Sequence, residues 1–249
     1  MVREKARCWI GTSGWNYPHW SGLFYPREMK PTAWFGHYSQ LFDTVEVNNT
    51  FYRLPNPEVF VRWGSEAPRG FCFSLKASRF ITHVKRLLEP ERSVAEFLRR
   101  AAGLATKVGP ILFQMPPTGR ANPARLRLFL DFLISQEILP GVQVAFEVRQ
   151  GTWMVHEILA AFEKANVALC LADWPDLPVE GPLTADFVYI RRHGASHLYA
   201  GAYSHAALCR EANRIRGWLA EGRDVYVYFN NDAHAHAVAN ALSLKDLLT

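Results

Sequence analysis

The sequence predicts an α/β protein built as a single (β/α)₈ TIM-type barrel. Three observations predict it. Eight short apolar runs recur along the chain, amphipathic helical stretches separate most of them, and the 249 residues match the roughly 250 typical of one barrel domain. Strands alternating with helices imply a mostly parallel sheet. Eight of them without a break in composition favour a closed barrel over an open sheet. Residues 1–249 read as one domain, without a linker-like or low-complexity segment.

The strand-like runs are Cys8–Ser13, Thr44–Asn48, Phe71–Lys76, Pro110–Gln114, Val142–Arg149, Val167–Asp173, Phe187–His193 and Val225–Asn230. Between them, Thr32–Phe42 carries Trp34, Phe35, Tyr38 and Leu41 at helical spacing, and Pro57–Glu66 follows the second strand. Ser93–Lys107 places Val94, Phe97, Leu98, Ala101 and Leu104 on one helical face. Pro123–Leu133 begins with Asn122 as N-cap before a proline at the first helical position. Trp153–Lys164 follows Thr152 as cap, and Ser204–Ala220 and His234–Leu247 close the chain. Pro175, Pro178, Gly181 and Pro182 forbid an ordinary helix in the sixth crossover, because proline removes a donor and clashes with the preceding turn. Gly14–Lys30 is long for a βα loop, and long ordered loops tend to be functional.

Side chains alternate along a strand, so residues two apart share a face. Val45 and Val47 oppose Glu46 and Asn48. Phe73 and Leu75 oppose Ser74 and Lys76, and Val144, Phe146 and Val148 oppose Glu147 and Arg149. Val188 and Ile190 oppose Tyr189, Arg191 and His193, while Val225, Val227 and Phe229 oppose Tyr226, Tyr228 and Asn230. The apolar sets suit the helix-facing side. The polar sets then point inward near the C-terminal strand ends, where barrel active sites lie, and Gln114 and Asp173 end their runs in the same way. Buried ions must be compensated. Glu147 with Arg149 and Lys76 with Glu46 are the expected pairs.

A formal charge of +5 permits an anionic partner, but the basic residues are spread out rather than gathered into the stripe of a nucleic-acid binder. The four cysteines form no C-x-x-C pair and call for neither zinc nor disulfides. The charged N-terminus lacks the apolar stretch of a signal peptide, and no apolar run reaches a membrane span, so a cytoplasmic protein is expected. There is no Walker loop and no G-x-G-x-x-G.

Several runs carry a family resemblance. They include Gly11-Thr12-Ser13-Gly14-Trp15-Asn16-Tyr17-Pro18-His19-Trp20, Phe24-Tyr25-Pro26, Glu46-Val47-Asn48-Asn49-Thr50-Phe51-Tyr52 and Phe73-Ser74-Leu75-Lys76. Thr82-His83, Gln114-Met115-Pro116-Pro117, Glu147-Val148-Arg149, Tyr189-Ile190-Arg191-Arg192-His193-Gly194 and Tyr226-Val227-Tyr228-Phe229-Asn230-Asn231-Asp232 follow in order. Together they resemble the YecE-like family, also called domain of unknown function seventy-two, across nearly the whole chain. The resemblance implies a TIM-barrel fold but no established reaction. A fold-level relation to barrel nucleases acting on abasic DNA has been suggested for such proteins, and fold alone does not fix function. Those nucleases use a histidine-rich metal cluster, which the mouth of this chain lacks. Asn49 stands where a serine is usual, Met115 replaces a leucine, and Gln150 replaces a histidine that commonly follows the Glu-x-Arg element. The last change argues against an essential acid–base role at that position.

Lys76, Arg149 and Arg191 sharing the mouth with Glu46, Glu147 and Asp173 suit an anion better than a metal. The candidate catalytic residues are Glu46, Lys76, Glu147, Asp173 and His193, acting by acid–base chemistry or, for Lys76, as an amine nucleophile. The candidate substrate-binding residues are Trp15, Tyr17, Asn48, Gln114, Arg149, Arg191, Tyr228 and Asn230. The leading expectation is an enzyme acting on a small anionic ligand without metal or cofactor. A nucleic-acid-binding or nuclease-like barrel, and a barrel whose polar centre is structural, are the alternatives. Two carboxylates ending the fourth and seventh strands would suit a retaining glycosidase, but Gln114 and Arg191 stand there.

Overall fold

A computed structural model describes residues 5–175, 177–195 and 198–249. The strands are β1 Cys8–Thr12, β2 Thr44–Val47, β3 Cys72–Lys76, β4 Val108–Gln114, β5 Val144–Glu147, β6 Val167–Leu169, β7 Leu171–Ala172, β8 Phe187–Arg192 and β9 Asp224–Phe229. Every ladder is parallel, in two sheets ordered β2-β3-β4-β5-β6 and β1-β9-β8-β7. The expected sixth run is divided, with Cys170 between β6 and β7. The two sheets are thus continuous through the chain there. At the other edge, an isolated parallel bridge joins Ser13 to Glu46.

Side-chain hydroxyls fill both seams. Between β1 and β2 the Thr12 amide donates to the Tyr38 hydroxyl at 3.0 Å, and that hydroxyl donates to the Thr44 carbonyl at 3.0 Å. A tyrosine oxygen therefore stands in for one rung of the ladder. Gly11 permits the approach, because a Cβ there would lie 2.4 Å from the Thr44 carbonyl oxygen. In the sixth strand the Leu169 amide donates to Thr184 Oγ1 at 2.8 Å, and that hydroxyl donates to the Val167 carbonyl at 2.7 Å. The proline-rich sixth crossover holds no helix among its described residues and delivers Thr184 instead.

The helices are α1 Trp34–Leu41, α2 Asn49–Tyr52, α3 Pro57–Glu66, α4 Pro90–Ala101, α5 Pro123–Ser135, α6 His156–Lys164, α7 His205–Ala220 and α8 His236–Leu248. Asn122 caps α5 as expected, accepting from the Arg125 amide at 2.9 Å. Two helix starts lie three residues from the sequence reading. α4 begins at Pro90, whose missing amide costs nothing in a first turn, and tightens into a 3₁₀ segment over Ala102–Lys107. The expected helix from Trp153 begins at His156, because Gly151–Trp153 forms a 3₁₀ turn that Gln150 caps through the Thr152 amide.

The outer strand faces bury Val45, Val47, Phe73, Leu75, Phe146, Ile190 and Val227 against the helices. Within the barrel, Ala145, Ala168, Cys170 and Ala172 lie on one side, and Tyr189, Tyr226 and Tyr228 on the other. Trp9 stacks on Tyr226 at 4.6 Å and forms the floor. The aromatic loop Gly14–Lys30 packs on the barrel top. Trp20 and Tyr25 are fully buried, and Tyr25 stacks on Trp34 at 4.8 Å. Among the described residues no helix is long and apolar enough to cross a membrane.

Candidate active site

The alternation in β2, β5 and β8 brings Glu46, Glu147 and Arg191 to one level above the tyrosine layer. Arg191 is fully buried at 0% exposure and lies between the two carboxylates. Its Nε and Nη2 donate to Glu46 Oε1 at 3.2 and 2.7 Å, and its Nη1 donates to Glu147 Oε2. Glu46 also accepts from Ser13 Oγ and from the Tyr189 hydroxyl, both at 2.7 Å. Glu147 accepts from Arg149 Nε at 2.6 Å and lies 3.3 Å from His193 Nε2. Burial alone would raise the Glu147 pKa, but the Arg191 and Arg149 guanidiniums outweigh it and hold the carboxyl well below its ordinary range.

The His193 ring is buried, and burial lowers its pKa despite the adjacent Glu147. A neutral ring fits its partners: Nε2–H faces Glu147, and Nδ1 accepts from Asn230 Nδ2 at 3.1 Å. Arg149 lies under the Trp174 ring, 3.7 Å from its centre. Trp174 and Tyr199 each meet His193 edge-on, at 5.8 and 5.7 Å.

Lys76 differs from its neighbours. It is 7% exposed, and its Nζ has no hydrogen bond or ion pair among the described residues. Its ammonium lies 4.2 Å from the centre of the Phe51 ring. Burial, helped by Arg191 and Arg149 and opposed by Glu147 and Glu46, lowers its pKa to about 7. The expected Lys76–Glu46 pair does not form, because the guanidinium of Arg191 and two hydroxyls occupy that carboxylate. The expected Glu147–Arg149 pair does form.

The remaining candidates take different positions. Gln114 is buried beside Glu147 in the β4–β5 register, and its Oε1 has no partner among the described residues. Asp173 lies outside the charge network, accepting from the His193 amide at 2.6 Å and from the Tyr203 hydroxyl, so it holds the strand end in place. Tyr228 is one layer deeper, with its hydroxyl 2.8 Å from Thr44 Oγ1. Asn48 donates to the Ser13 carbonyl at 3.1 Å and keeps a buried, unpartnered Oδ1. Tyr17 donates to the same carbonyl at 2.6 Å, and Trp15 packs against Phe35 and Trp63. Trp15, Tyr17 and Asn48 line an 840 Å³ cleft at the β1–β2 edge of the mouth.

Segments between the strands contribute groups that strand alternation could not reveal. Phe51, Trp174 and Tyr199 wall the charged centre. His83 meets the Phe51 ring at 5.0 Å and pairs through Nδ1 with Thr82 Oγ1 at 2.8 Å. Burial first, then the nearby Lys76 charge, lowers His83 to about 4. The only sequence signal for it was the Thr82-His83 pair in the family pattern. Among the described residues no three His, Cys, Asp or Glu side chains converge as a metal site.

Comparison with known proteins places this architecture. Residues 9–249 match the family model described as protein of unknown function DUF72. The chain is 34% identical over 133 residues to the UPF0759 protein YecE of Escherichia coli (strain K12). That alignment takes in 53% of this chain and 44% of the relative, so it spans less than half of that protein's length. A DUF72 family protein from Thermotoga maritima MSB8 shares the fold with a TM-score of 0.85 at 26% identity, over 97% of this chain and 99% of the other. A second, from Enterococcus faecalis V583, gives 0.78 at 19% identity over 98% of both chains, a likeness of fold alone. A family match over nearly the full sequence, with a structural likeness of the same extent, makes this chain a member of the DUF72, or YecE-like, family.

Proposed function

We propose that the protein is an enzyme that binds a small anionic substrate at the C-terminal mouth and acts on it by metal-independent acid–base chemistry. The observation that carries this reading is the charge balance of the mouth. Glu46 and Glu147 are matched by Arg191 and Arg149, each ion hydrogen-bonded to its partner. Lys76 is the surplus charge, buried and unpaired among the described residues. An uncompensated buried ion costs several kcal/mol. A ligand carboxylate or phosphate supplies the missing partner and restores the ammonium form.

The same geometry supports proton transfer. An amine that titrates near pH 7 exchanges its proton at little cost, which is the property required of an acid–base group. The neutral imidazole of His193 is held by Glu147 and Asn230. Phe51, Trp174 and Tyr199 reduce water access, which strengthens each electrostatic contact. Arg191, sealed between two carboxylates, serves as the scaffold that fixes Glu46 and Glu147 rather than as an anion clamp.

Calorimetric titration with phosphate, sulfate and acetate tests the reading. Anion affinity is expected to fall as the pH rises through 7, with proton uptake on binding above that pH. The sign follows from the pairing, because an anion beside Lys76 raises its depressed pKa and draws in a proton. Lys76→Met is expected to abolish the binding. Equal affinity in wild type and Lys76→Met, or affinity independent of pH, counts decisively against the reading.

A further inference from the structure

We propose that Lys76 is an imine-forming lysine whose ε-amine condenses with the carbonyl of a small compound that also carries one carboxylate, a 2-oxo acid or an aldehyde acid. The inference rests on the anion-binding reading above and deepens it by naming the substrate class.

The geometry supplies what such a step needs. The nucleophile is a buried primary amine, set against an aromatic face and unpaired among the described residues. A lysine locked as ammonium by a protein carboxylate attacks a carbonyl slowly, because little of it is free base. Here both nearby carboxylates are saturated by Arg191, Arg149, Ser13, Tyr189 and His193. The network is electrically balanced with Lys76 neutral. Desolvation is a recognised way to free a lysine for this chemistry, and the titration of Lys76 near pH 7 agrees with it.

The step balances as follows. The Nζ lone pair attacks the carbonyl carbon, a C–N bond forms, and the carbonyl π pair moves to oxygen, which takes up a proton while nitrogen loses one. The resulting carbinolamine then breaks its C–O bond. The hydroxyl leaves as water after accepting a proton, and nitrogen forms the C=N double bond. One carbonyl and one amine give one imine and one water, with no change of oxidation state. A protonated imine carries a single positive charge, which the substrate's own carboxylate neutralises. The mouth therefore returns to balance only with a carbonyl compound of charge minus one. His83 packs edge-on against the same Phe51 ring and is neutral above about pH 4. The buried, unpartnered Gln114 Oε1 offers an acceptor for the hydroxyl or the N–H.

The test treats the full chain with pyruvate or glyoxylate and sodium borohydride near pH 7, followed by intact mass and peptide mapping. At that pH an amine with a pKa of about 7 has a free-base fraction roughly a thousandfold larger than that of an ordinary lysine. One reduced adduct on Lys76 is expected, and none at that position in Lys76→Met or Lys76→Arg. Melting curves of both variants confirm that they fold, and Gln114→Ala serves as a second variant in which the adduct forms more slowly but still on Lys76. Adducts spread over Lys30, Lys85 and Lys164, or no adduct at all, overturn the proposal. Retained phosphate and acetate binding without an adduct removes the imine and leaves the anion reading. Loss of both removes both.

Discussion

Lys76 and Glu147 sit in the same mouth and bear opposite relations to stability. Burial lowers Lys76 from 10.5 to about 7, so between those pH values the unfolded chain holds a proton that the folded chain does not. Stability contributed at this position therefore rises with pH across that window, and the penalty is complete below pH 7. Lys76→Met is expected to raise the melting temperature, most below pH 7 and progressively less toward pH 10.5. A melting profile in which the variant gains nothing would mean that the ammonium has found compensation within the fold. Glu147 stabilises where Lys76 costs, although stability rises with pH at both. Its folded pKa is depressed, so its contribution is present above the ordinary value of 4.5 and is lost as pH falls below it. Glu147→Gln leaves Arg191 with half its compensation and is expected to destabilise by roughly 3–5 kcal/mol, read by denaturant unfolding at neutral pH. A loss below about 1 kcal/mol, the range of exposed pairs, would show that solvent reaches the pair.

At the scale of elements, the β1–β2 seam depends on one hydroxyl. Tyr38 comes from α1, is fully buried, and joins the Thr12 amide to the Thr44 carbonyl. Tyr38→Phe keeps the ring packing but leaves a buried amide unpaired, at a cost of about 1–3 kcal/mol. Faster hydrogen exchange at the Thr12 amide is expected together with that loss. Unchanged exchange would assign the closure to the Ser13–Glu46 bridge alone. The sequence showed Tyr38 only as one member of an apolar helical face. Its hydroxyl is used 26 positions upstream, at Thr12, which local periodicity cannot show. The same holds for Thr184, whose backbone partners are set by where the proline-rich crossover lies.

Over the whole molecule, period-two alternation revealed which strand residues face the interior, because each strand has helices on one side and the barrel on the other. It did not reveal depth. Arg149 and Arg191 read alike in sequence, yet one lies under Trp174 and the other is sealed at the centre. Depth follows from the stagger between strands, which no single run encodes. Partners were legible only when local: Glu147 and Arg149 are two residues apart and pair, whereas Glu46 takes Arg191 from 145 positions away. Asp173 satisfied the inward pattern at a strand end, but the turn beyond β8 places a backbone amide there instead of a ligand space. Phe51 comes from α2, His83 from the helical turn Phe80–Val84, and Trp174 and Tyr199 from loops, where strand alternation has no meaning.

The bridge between Ser13 and Glu46 also bears on the order in which the molecule assembles. Glu46 finds a hydroxyl donor, Ser13, just beyond β1 and its neutralising Arg191 on β8, 33 and 145 positions away in the chain. Loop closure over such distances is slow, and contacts of this kind form late. Until β1 and β8 are both in place, that carboxylate lacks part of its set of donors. The binding surface is therefore expected to form late in folding. A nascent or partly melted chain has no mouth to offer, so ligand recognition doubles as a report that both ends of the barrel have met.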